Sequence, residues 1–344
     1  LDPELAGGWN LLGNLIRTGS TRAYREQFAT FEESLEAASE YYDRALELDP
    51  NAIEVLVGQA LVTSRYDWQW EEATDLHERA LEDDPESASA HTDYAYHLSK
   101  IGRCREALGH ARLGVQLDPG SAWRRLAEPR ILPCLGRSGE ALEIFEDLMQ
   151  QEGTNGFYMR DMFLTSWVLQ DTAGMHRLKE LILQVEWPEG DSIQAARRDQ
   201  NLAMADRGIE AVEGDPSDMI AFADSMVAEH DARVAAGEDT DLRLDGLWVW
   251  SMLYAWSGEI QKALDLYVRA LDAEVLYIPH TYRHGLYEFP EPMRSDPRYL
   301  EPWETRPELA ELARLRLEAL RAGEMAGILP NGMVVEPNGM PGEG

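Results

Sequence analysis

The chain has 344 residues, and its 63 acidic side chains outnumber its 31 basic ones to give a formal net charge of −32. Phosphate backbones and anionic lipid surfaces repel such a surface, so the composition argues against a nucleic-acid-binding or membrane-surface protein. An apolar content of 44% is sufficient for a hydrophobic core, and no apolar run of about 20 residues predicts a membrane span.

The chain opens on Leu-Asp-Pro at residues 1–3, a tripeptide that recurs at 48–50 and 117–119. In those later copies the tripeptide closes a helical unit, because proline cannot continue a helix. We therefore expect a further helix before Leu1 and a natural N-terminus that is missing here. No signal peptide is visible, and the default expectation for the compartment is the cytoplasm.

Three sets of landmark residues recur at a nearly constant interval through residues 1–150. Successive members are 34 or 35 residues apart in the sets Ala38, Ala73, Ala107 and Ala141; Pro50, Pro85 and Pro119; and Gly102 and Gly136. A period of about 34 residues is typical of two-helix units that bury their apolar faces only by stacking. We predict an all-α fold, a right-handed α-solenoid of stacked helix-turn-helix repeats with an irregular C-terminal tail.

Repeat one, residues 4–50, exceeds the period because of an insertion at 17–34. An insertion can project from one edge and carry contacts, and a plain loop explains it equally well. Repeat two, 51–85, has Trp68 and Trp70 in its turn. Alternate residues of a turn do not fill one gap, so we expect one tryptophan to be buried and the other partly exposed, for packing rather than ligand stacking.

Repeat three, 86–119, is the most regular unit, with Gly102 between its helices. In repeat four, 120–153, Pro129 stands inside the first helix, where it predicts a kink or a late helix start. Cys104 and Cys134 are the only cysteines. Two cysteines do not form a disulfide framework, and we expect two free thiols.

The organisation weakens after residue 154. We predict about five repeats over 1–190, the fifth being degenerate. A degenerate pair follows over 191–240, with helices near 192–213 and 217–236. Residues 241–325 are predicted to hold a repeat-like pair, an irregular Pro- and aromatic-rich wrap at 277–307, and a capping helix at 307–322. That helix is predicted to have an apolar side of leucines and a solvated face of Arg and Glu residues. The Gly- and Pro-rich tail, 326–344, is predicted to be extended and to lie in a groove of this chain or of a second copy, which would make a homo-oligomer.

These landmarks resemble the tetratricopeptide repeat. The residues that carry the resemblance are Trp9, Leu12, Gly13, Ile16, Ala38, Tyr42, Ala45 and Pro50; Tyr94, Leu98, Gly102, Ala107 and Ala111; Leu132, Gly136, Ala141 and Phe145; and Trp250, Tyr254, Gly258, Ala263 and Tyr267. Residues 67–73 and 293–299 are also similar to the repeat regions of bacterial multidomain regulators, which carry a winged-helix or adenylate cyclase domain upstream.

The resemblance implies that the first helices of the pairs line a concave groove for a partner peptide. By repeat register, the side chains that should point there are Tyr96, Trp123, Arg130, Phe157, Arg160 and Trp167. Guanidinium and aromatic groups suit an acidic or aromatic segment. Residues 103–137 hold seven arginines and three acidic side chains, and these arginines can equally be paired within the molecule.

No catalytic motif is visible, and we predict no enzyme activity and no cofactor. His280 and His284 have i, i+4 spacing, but Pro279 and Gly285 disfavour a helix there, so we expect no metal. The sequence predicts a non-enzymatic scaffold that binds a partner segment, or its own tail, in the groove. The alternative is a sensory or regulatory module of a larger signalling protein with an upstream DNA-binding or cyclase domain.

Overall fold

The computed structural model describes residues 4–18, 31–65, 68–152, 156–184, 192–236, 244–272, 289–325, 327–328 and 334–335. Within these ranges the chain is almost entirely helical. The helices form pairs, and each helix packs against the next one along the chain. The prediction of an all-α solenoid of stacked helix pairs is therefore confirmed.

The first four pairs cover the predicted repeats one to four. They are α1 (Ala6–Thr18) with α2 (Phe31–Leu48), α3 (Ile53–Arg65) with α4 (Trp70–Asp83), α5 (Ala88–Lys100) with α6 (Cys104–Leu117), and the short helices α7 (Ala122–Arg125) and α8 (Ala127–Ile131) with α9 (Ser138–Glu152). The next three pairs are α10 (Gly156–Val168) with α11 (Thr172–Gln184), α12 (Ser192–Glu213) with α13 (Ser217–Ala235), and α14 (Leu244–Trp256) with α15 (Ile260–Asp272). We call the leading member of each pair its first helix.

Small residues at the repeat period allow the helices to lie close together. Ala38, Ala73, Ala107 and Ala141 are all fully buried. The ring of Tyr42 lies between Gly13 and Gly58, and a Cβ added at either glycine would be 2.7 Å from Tyr42 Cε1. A larger residue at either glycine would push the ring out of the core, because protein interiors are close-packed.

The first helix of the fourth pair is broken, as Pro129 predicts. Pro129 has no N–H to donate to the carbonyl of Arg125, and α7 ends at Arg125. Pro133 likewise has no N–H for the carbonyl of Pro129, and the chain turns into a 3₁₀ helix over Leu132–Leu135. Gly136 closes this unit with φ of 71°, in the left-handed region that glycine adopts without strain.

The expectation of two free thiols is wrong. Cys104 and Cys134 form a disulfide, with their Cα atoms 6.1 Å apart. Cys104 begins α6 and Cys134 lies in the 3₁₀ turn of the following pair. Both occupy the helix-to-helix turns of successive pairs. Stacking brings the two turns together, although 30 residues separate the cysteines in sequence.

The segment before the terminal helix is more regular than predicted in its described part. It forms α16 (Glu291–Arg294) and α17 (Pro297–Thr305), and the side chain of Asp296 accepts a hydrogen bond from Arg298 N at the start of α17. This cap explains why a proline-rich stretch still forms a helix. Helix α17 packs on α15, where Trp303 Nε1 donates to Tyr267 Oη at 3.0 Å.

The last helix, α18 (Pro307–Arg321), packs its apolar side against the early repeats, a position that the sequence does not predict. Its Leu309, Leu312 and Arg316 are buried, and it lies across the turns of the second and third pairs. Arg316 Nε donates to the carbonyl of Lys100 at 2.7 Å. The last helix thus contacts the early part of the chain at a sequence separation of 216. We call this α18 contact with the two turns the clasp.

The clasp also overturns the expectation for the tryptophan pair. Trp68 and Trp70 are both buried, at 7% and 2% exposure. Trp68 takes a φ of 55°, which reorients the chain between the two rings. Trp70 Nε1 donates to the carbonyl of Glu308 at 3.1 Å. Helix α18 therefore covers an edge that the repeat pattern alone leaves open.

Two short strands end the described chain: β1 (Gly327–Ile328) pairs antiparallel with β2 (Val334–Val335). Residues 19–30 of the predicted insertion at 17–34, the histidines His280 and His284, and the rest of the tail lie outside the described residues. No helix of the described residues is both long and apolar enough to span a bilayer.

Candidate partner-binding face

The structure brings four of the six predicted site residues together. Tyr96 on α5, Trp123 on α7, Arg130 on α8 and Arg160 on α10 come from the first helices of three successive pairs. Trp123 and Arg160 reach solvent, with 36% of Trp123 and 42% of the Arg160 side chain exposed. Tyr96 and Arg130 are buried. Two members of the predicted cluster are thus buried and two are exposed.

Arg130 is the centre of this cluster. Its Nε donates to Asp161 Oδ2 at 2.6 Å and its Nη1 donates to Tyr96 Oη at 3.1 Å. The guanidinium lies 4.9 Å from the centre of the Trp123 ring, a cation–π distance. Arg160 Nε donates to the other carboxylate oxygen of Asp161 at 3.3 Å. One buried carboxylate therefore contacts two arginines on neighbouring first helices.

The surroundings of Arg130 keep it charged. Burial alone lowers the pKa of Arg130, but Tyr96 and Asp161 reverse this effect and raise it overall. A buried ion pair adds little net stability, yet removing one partner leaves a charge stranded in a medium of low polarity. Arg130 and Arg160 both contact Asp161, but the Arg130 side chain is 1% exposed and that of Arg160 is 42% exposed. A substitution at Arg160 therefore disturbs the core less, and Arg160 is the better position for testing partner binding.

Asp161 is a site residue that sequence reasoning missed. It is fully buried in α10, whose sequence is otherwise mostly apolar. A single acidic residue in such a helix signals a buried charge pair. Its partner Arg130 lies 31 positions earlier, close to one repeat period, which is where a neighbouring first helix would place it.

The other two predicted residues have different outcomes. Trp167 is 1% exposed and stacks on Phe163 with 6.2 Å between ring centres, within the hydrophobic core. The side chain of Phe157 lies outside the described residues. The pattern could not separate core from groove in α10, because this helix is apolar on nearly every side.

Most arginines of segment 103–137 have partners within the molecule. The ion pairs are Arg103–Glu106 at 2.7 Å, Arg112–Glu128 at 2.7 Å, Arg124–Asp118 at 2.8 Å and Arg137–Glu140 at 2.6 Å. Arg105 donates to the carbonyl of Gly323, which follows α18. The sequence left open whether these arginines bind a partner or pair within the molecule. These five pair within the molecule.

A cleft of about 710 Å³ lies beside Arg160. Its walls come from α10, α12 and α14, the first helices of three successive pairs, with further residues from α11 and α13. The apolar side chains that line it include Met159, Phe163, Met204, Phe222, Met226 and Trp250. The charged residues that line it are Arg160, Asp199 and Arg207. Arg160 thus belongs both to the Arg130 cluster and to the cleft.

A second polar group, between α4, α5 and α6, has a structural role. His77 and His97 are buried, and His97 Nε2 lies 2.8 Å from Thr74 Oγ1. Burial lowers the pKa of His77 to about 3, with Lys100 adding to the effect, and it lowers the pKa of His97 well below its ordinary value. Both imidazoles are neutral at pH 7 and serve as core rings.

Among the described residues, no group of three or more His, Cys, Asp and Glu side chains is arranged to hold a metal ion. His280 and His284 lie outside that part of the chain. Their expected lack of a metal stays a prediction.

No family model and no curated protein matches the chain. Among solved structures, it is similar to YrrB, described as a TPR protein with an unusual peptide-binding site, at 20% identity over 58% of this chain and 94% of that one, with a TM-score of 0.38. It is similar to PilF of Pseudomonas aeruginosa at 16% identity over 61% and 93%, with a TM-score of 0.42. It is similar to MamA at 14% identity over 52% and 91%, with a TM-score of 0.33.

The class of this protein follows from its own architecture. Stacked helix pairs, a repeat period of about 34 residues, turn glycines with positive φ such as Gly102, Gly136 and Gly258, and buried alanines at fixed positions define an α-solenoid with repeats of the tetratricopeptide type.

Proposed function

We propose that this chain is a non-enzymatic interaction scaffold that holds a segment of a partner protein against the first helices α7 to α14. The observation that carries the proposal is the position of Arg160. Its exposed guanidinium stands between the Trp123–Arg130 cluster and the open cleft. A segment lying across these helices would contact the Trp123 ring, the Arg160 guanidinium and the apolar cleft. Aromatic, charged and apolar groups in sequence are typical of a peptide-binding surface.

The chemistry of this face favours an acidic or aromatic segment. Guanidinium groups bind carboxylates through paired hydrogen bonds, and the half-exposed ring of Trp123 offers apolar area with little entropy to lose. The strongly negative remainder of the chain repels an acidic segment. What sets Arg160 apart from other exposed arginines, such as Arg44, is that it lines the apolar cleft.

A displayed library of random peptides tests the proposal without knowledge of the partner. Peptides enriched on the wild-type chain should bind Arg160→Glu roughly tenfold or more weakly, since a charge-assisted contact becomes a repulsion. The matched control is Arg44→Glu, because the Arg44 side chain is 43% exposed and that of Arg160 is 42% exposed. Arg44 lies on α2, far from the face in sequence and outside its helices.

Two outcomes would overturn the proposal. One is that no peptide is enriched over an unrelated helical protein. The other is that Arg160→Glu and Arg44→Glu bind the enriched peptides equally well. If the tail occupies the same face, deletion of 329–344 should strengthen peptide binding; an unchanged affinity would remove the tail as a competitor.

A further inference from the structure

The cleft between α10 and α14 has the size and lining of a ligand site. Its volume of about 710 Å³ falls within the range of roughly 300–1,000 Å³ that is usual for such sites. Twelve of its 17 lining residues are apolar, and six of these twelve are aromatic residues or methionines. Buried solenoid cores are normally filled by their own side chains, so an open recess of this size is a distinct feature of this region.

The three methionines give the walls an adaptable shape. Met159, Met204 and Met226 come from three different helices, α10, α12 and α13. Unbranched thioether chains adjust to apolar groups of different outline and make favourable contacts with aromatic rings. The cleft is therefore suited to more than one large apolar side chain, rather than to a single rigid ligand.

The lining of the cleft is less acidic than the molecule as a whole. The chain has about two acidic residues for each basic one, whereas two arginines and one aspartate line the cleft. That aspartate, Asp199, contacts Arg198 at 3.2 Å. Arg207 lies 4.9 Å from the ring centre of Phe222 and contacts Asp218 at 2.9 Å. The cleft thus has two guanidinium groups next to its apolar recess, each of which also contacts an aspartate.

We propose that this cleft is the anchor site for a bulky apolar side chain, such as leucine, methionine or phenylalanine, that has a carboxylate next to it in a partner segment. The proposal rests on the proposed function and adds the chemistry of the partner. The apolar side chain supplies affinity by leaving water. The carboxylate supplies selectivity at Arg160 and Arg207, because guanidinium groups bind carboxylates through paired hydrogen bonds.

The test uses one probe of the cleft and one of the partner. Anilinonaphthalene sulfonate, an aromatic anion, should fluoresce on the wild-type chain and lose most of that signal on Ala203→Trp, which fills the cleft from α12. Ala228→Trp is the matched control, because Ala228 is exposed on α13 and does not line the cleft. Peptides enriched by display should carry a bulky apolar residue next to an acidic one and should bind Ala203→Trp roughly tenfold or more weakly.

The outcomes separate this inference from the proposed function. Peptides that bind Ala203→Trp and Ala228→Trp equally well would overturn the anchor site and leave the scaffold standing. Dye binding that depends on Ala203, with no peptide enriched, would overturn both and assign the cleft to a small amphiphilic anion. Circular dichroism checks the folding of each variant. If Ala203→Trp does not fold, Met204→Asp takes its place, since it puts a repelling charge on the same wall.

Discussion

The clasp makes an unusually specific prediction at Gly102. This turn residue has φ of 89°, and a Cβ added there would lie 2.7 Å from Met325 Sδ, 3.2 Å from Ala319 Cβ and 3.3 Å from Arg316 Cα. Gly258 occupies the equivalent turn of the seventh pair with φ of 87°, and nothing lies within 4 Å of its added Cβ. Alanine at both positions therefore has the same backbone strain and a different steric cost.

The expected magnitudes follow from those two terms. A Cβ in the left-handed region costs about 1–2 kcal/mol, and this is the whole effect expected for Gly258→Ala. At Gly102 the sulfur can move aside, but the backbone of α18 can yield only if the helix shifts, which adds about 1–3 kcal/mol of overpacking. The free energy of unfolding should thus fall further for Gly102→Ala than for Gly258→Ala by that second amount.

Urea unfolding of the two variants measures the difference, and limited proteolysis locates it. Gly102→Ala should expose sites in α18 to protease earlier than in the wild-type chain, while Gly258→Ala should leave the α18 cleavage pattern unchanged. Equal losses of stability, with α18 equally protected in both variants, would refute the claim that α18 packs on this turn.

Three further predictions concern groups inside the array. Arg130→Met should cost about 3–5 kcal/mol by removing the closer of the two arginines that contact Asp161, and adding Asp161→Leu should restore much of the loss; purely additive losses in urea titrations would contradict this. Because burial lowers the pKa of His77 from 6.5 to about 3, only the unfolded chain takes up that proton between these pH values. The free energy of unfolding should therefore decrease as the pH is lowered below 6.5, by about 2 kcal/mol at pH 5. The decrease should be smaller for His77→Leu in the same titration. Replacing Cys104 and Cys134 by serine should cost about 3–4 kcal/mol for a loop of this length, and a reductant should lower the wild-type melting temperature only; an equal response of both chains to reductant would be contrary evidence.

The sequence predicts the solenoid well because stacking is a local property. Each pair contacts mainly its neighbours, and the alanines, glycines and prolines that make those contacts possible recur at one period. The break around Pro129 was predictable for the same reason, since the missing N–H acts on a carbonyl four positions earlier. The helices of the sixth pair also lie where the turn at 214–216 predicts them.

Contacts between distant parts of the chain were not predictable in this way. Nothing near Trp68 and Trp70 indicates that α18 will cover them. The one signal is Arg316, which lies on the same apolar face of α18 as Leu309, Leu312 and Leu320. A charged residue on an apolar face indicates a buried contact with a polar partner. The pairing of the two cysteines depends in turn on how closely successive turns stack, a distance that spacing in sequence does not give.

The sequence predicted which residues of the candidate face lie near one another, but not which of them are buried. Repeat register placed Tyr96, Trp123, Arg130 and Arg160 together. It did not reveal which of them are buried, because burial depends on the fit between neighbouring helices. The cleft itself arises where α12 and its neighbours depart from the repeat pattern, so no repeat-based argument could outline it.

Photo-cross-linking tests the central claim most directly. A benzoylphenylalanine residue at Met204, in the cleft wall, should form a covalent adduct with peptides enriched on the wild-type chain. The same residue at Leu117, which is 37% exposed at the end of the second helix α6, should not. Adducts from both positions, or from Leu117 alone, would show that the first helices of this solenoid are not where its partner binds.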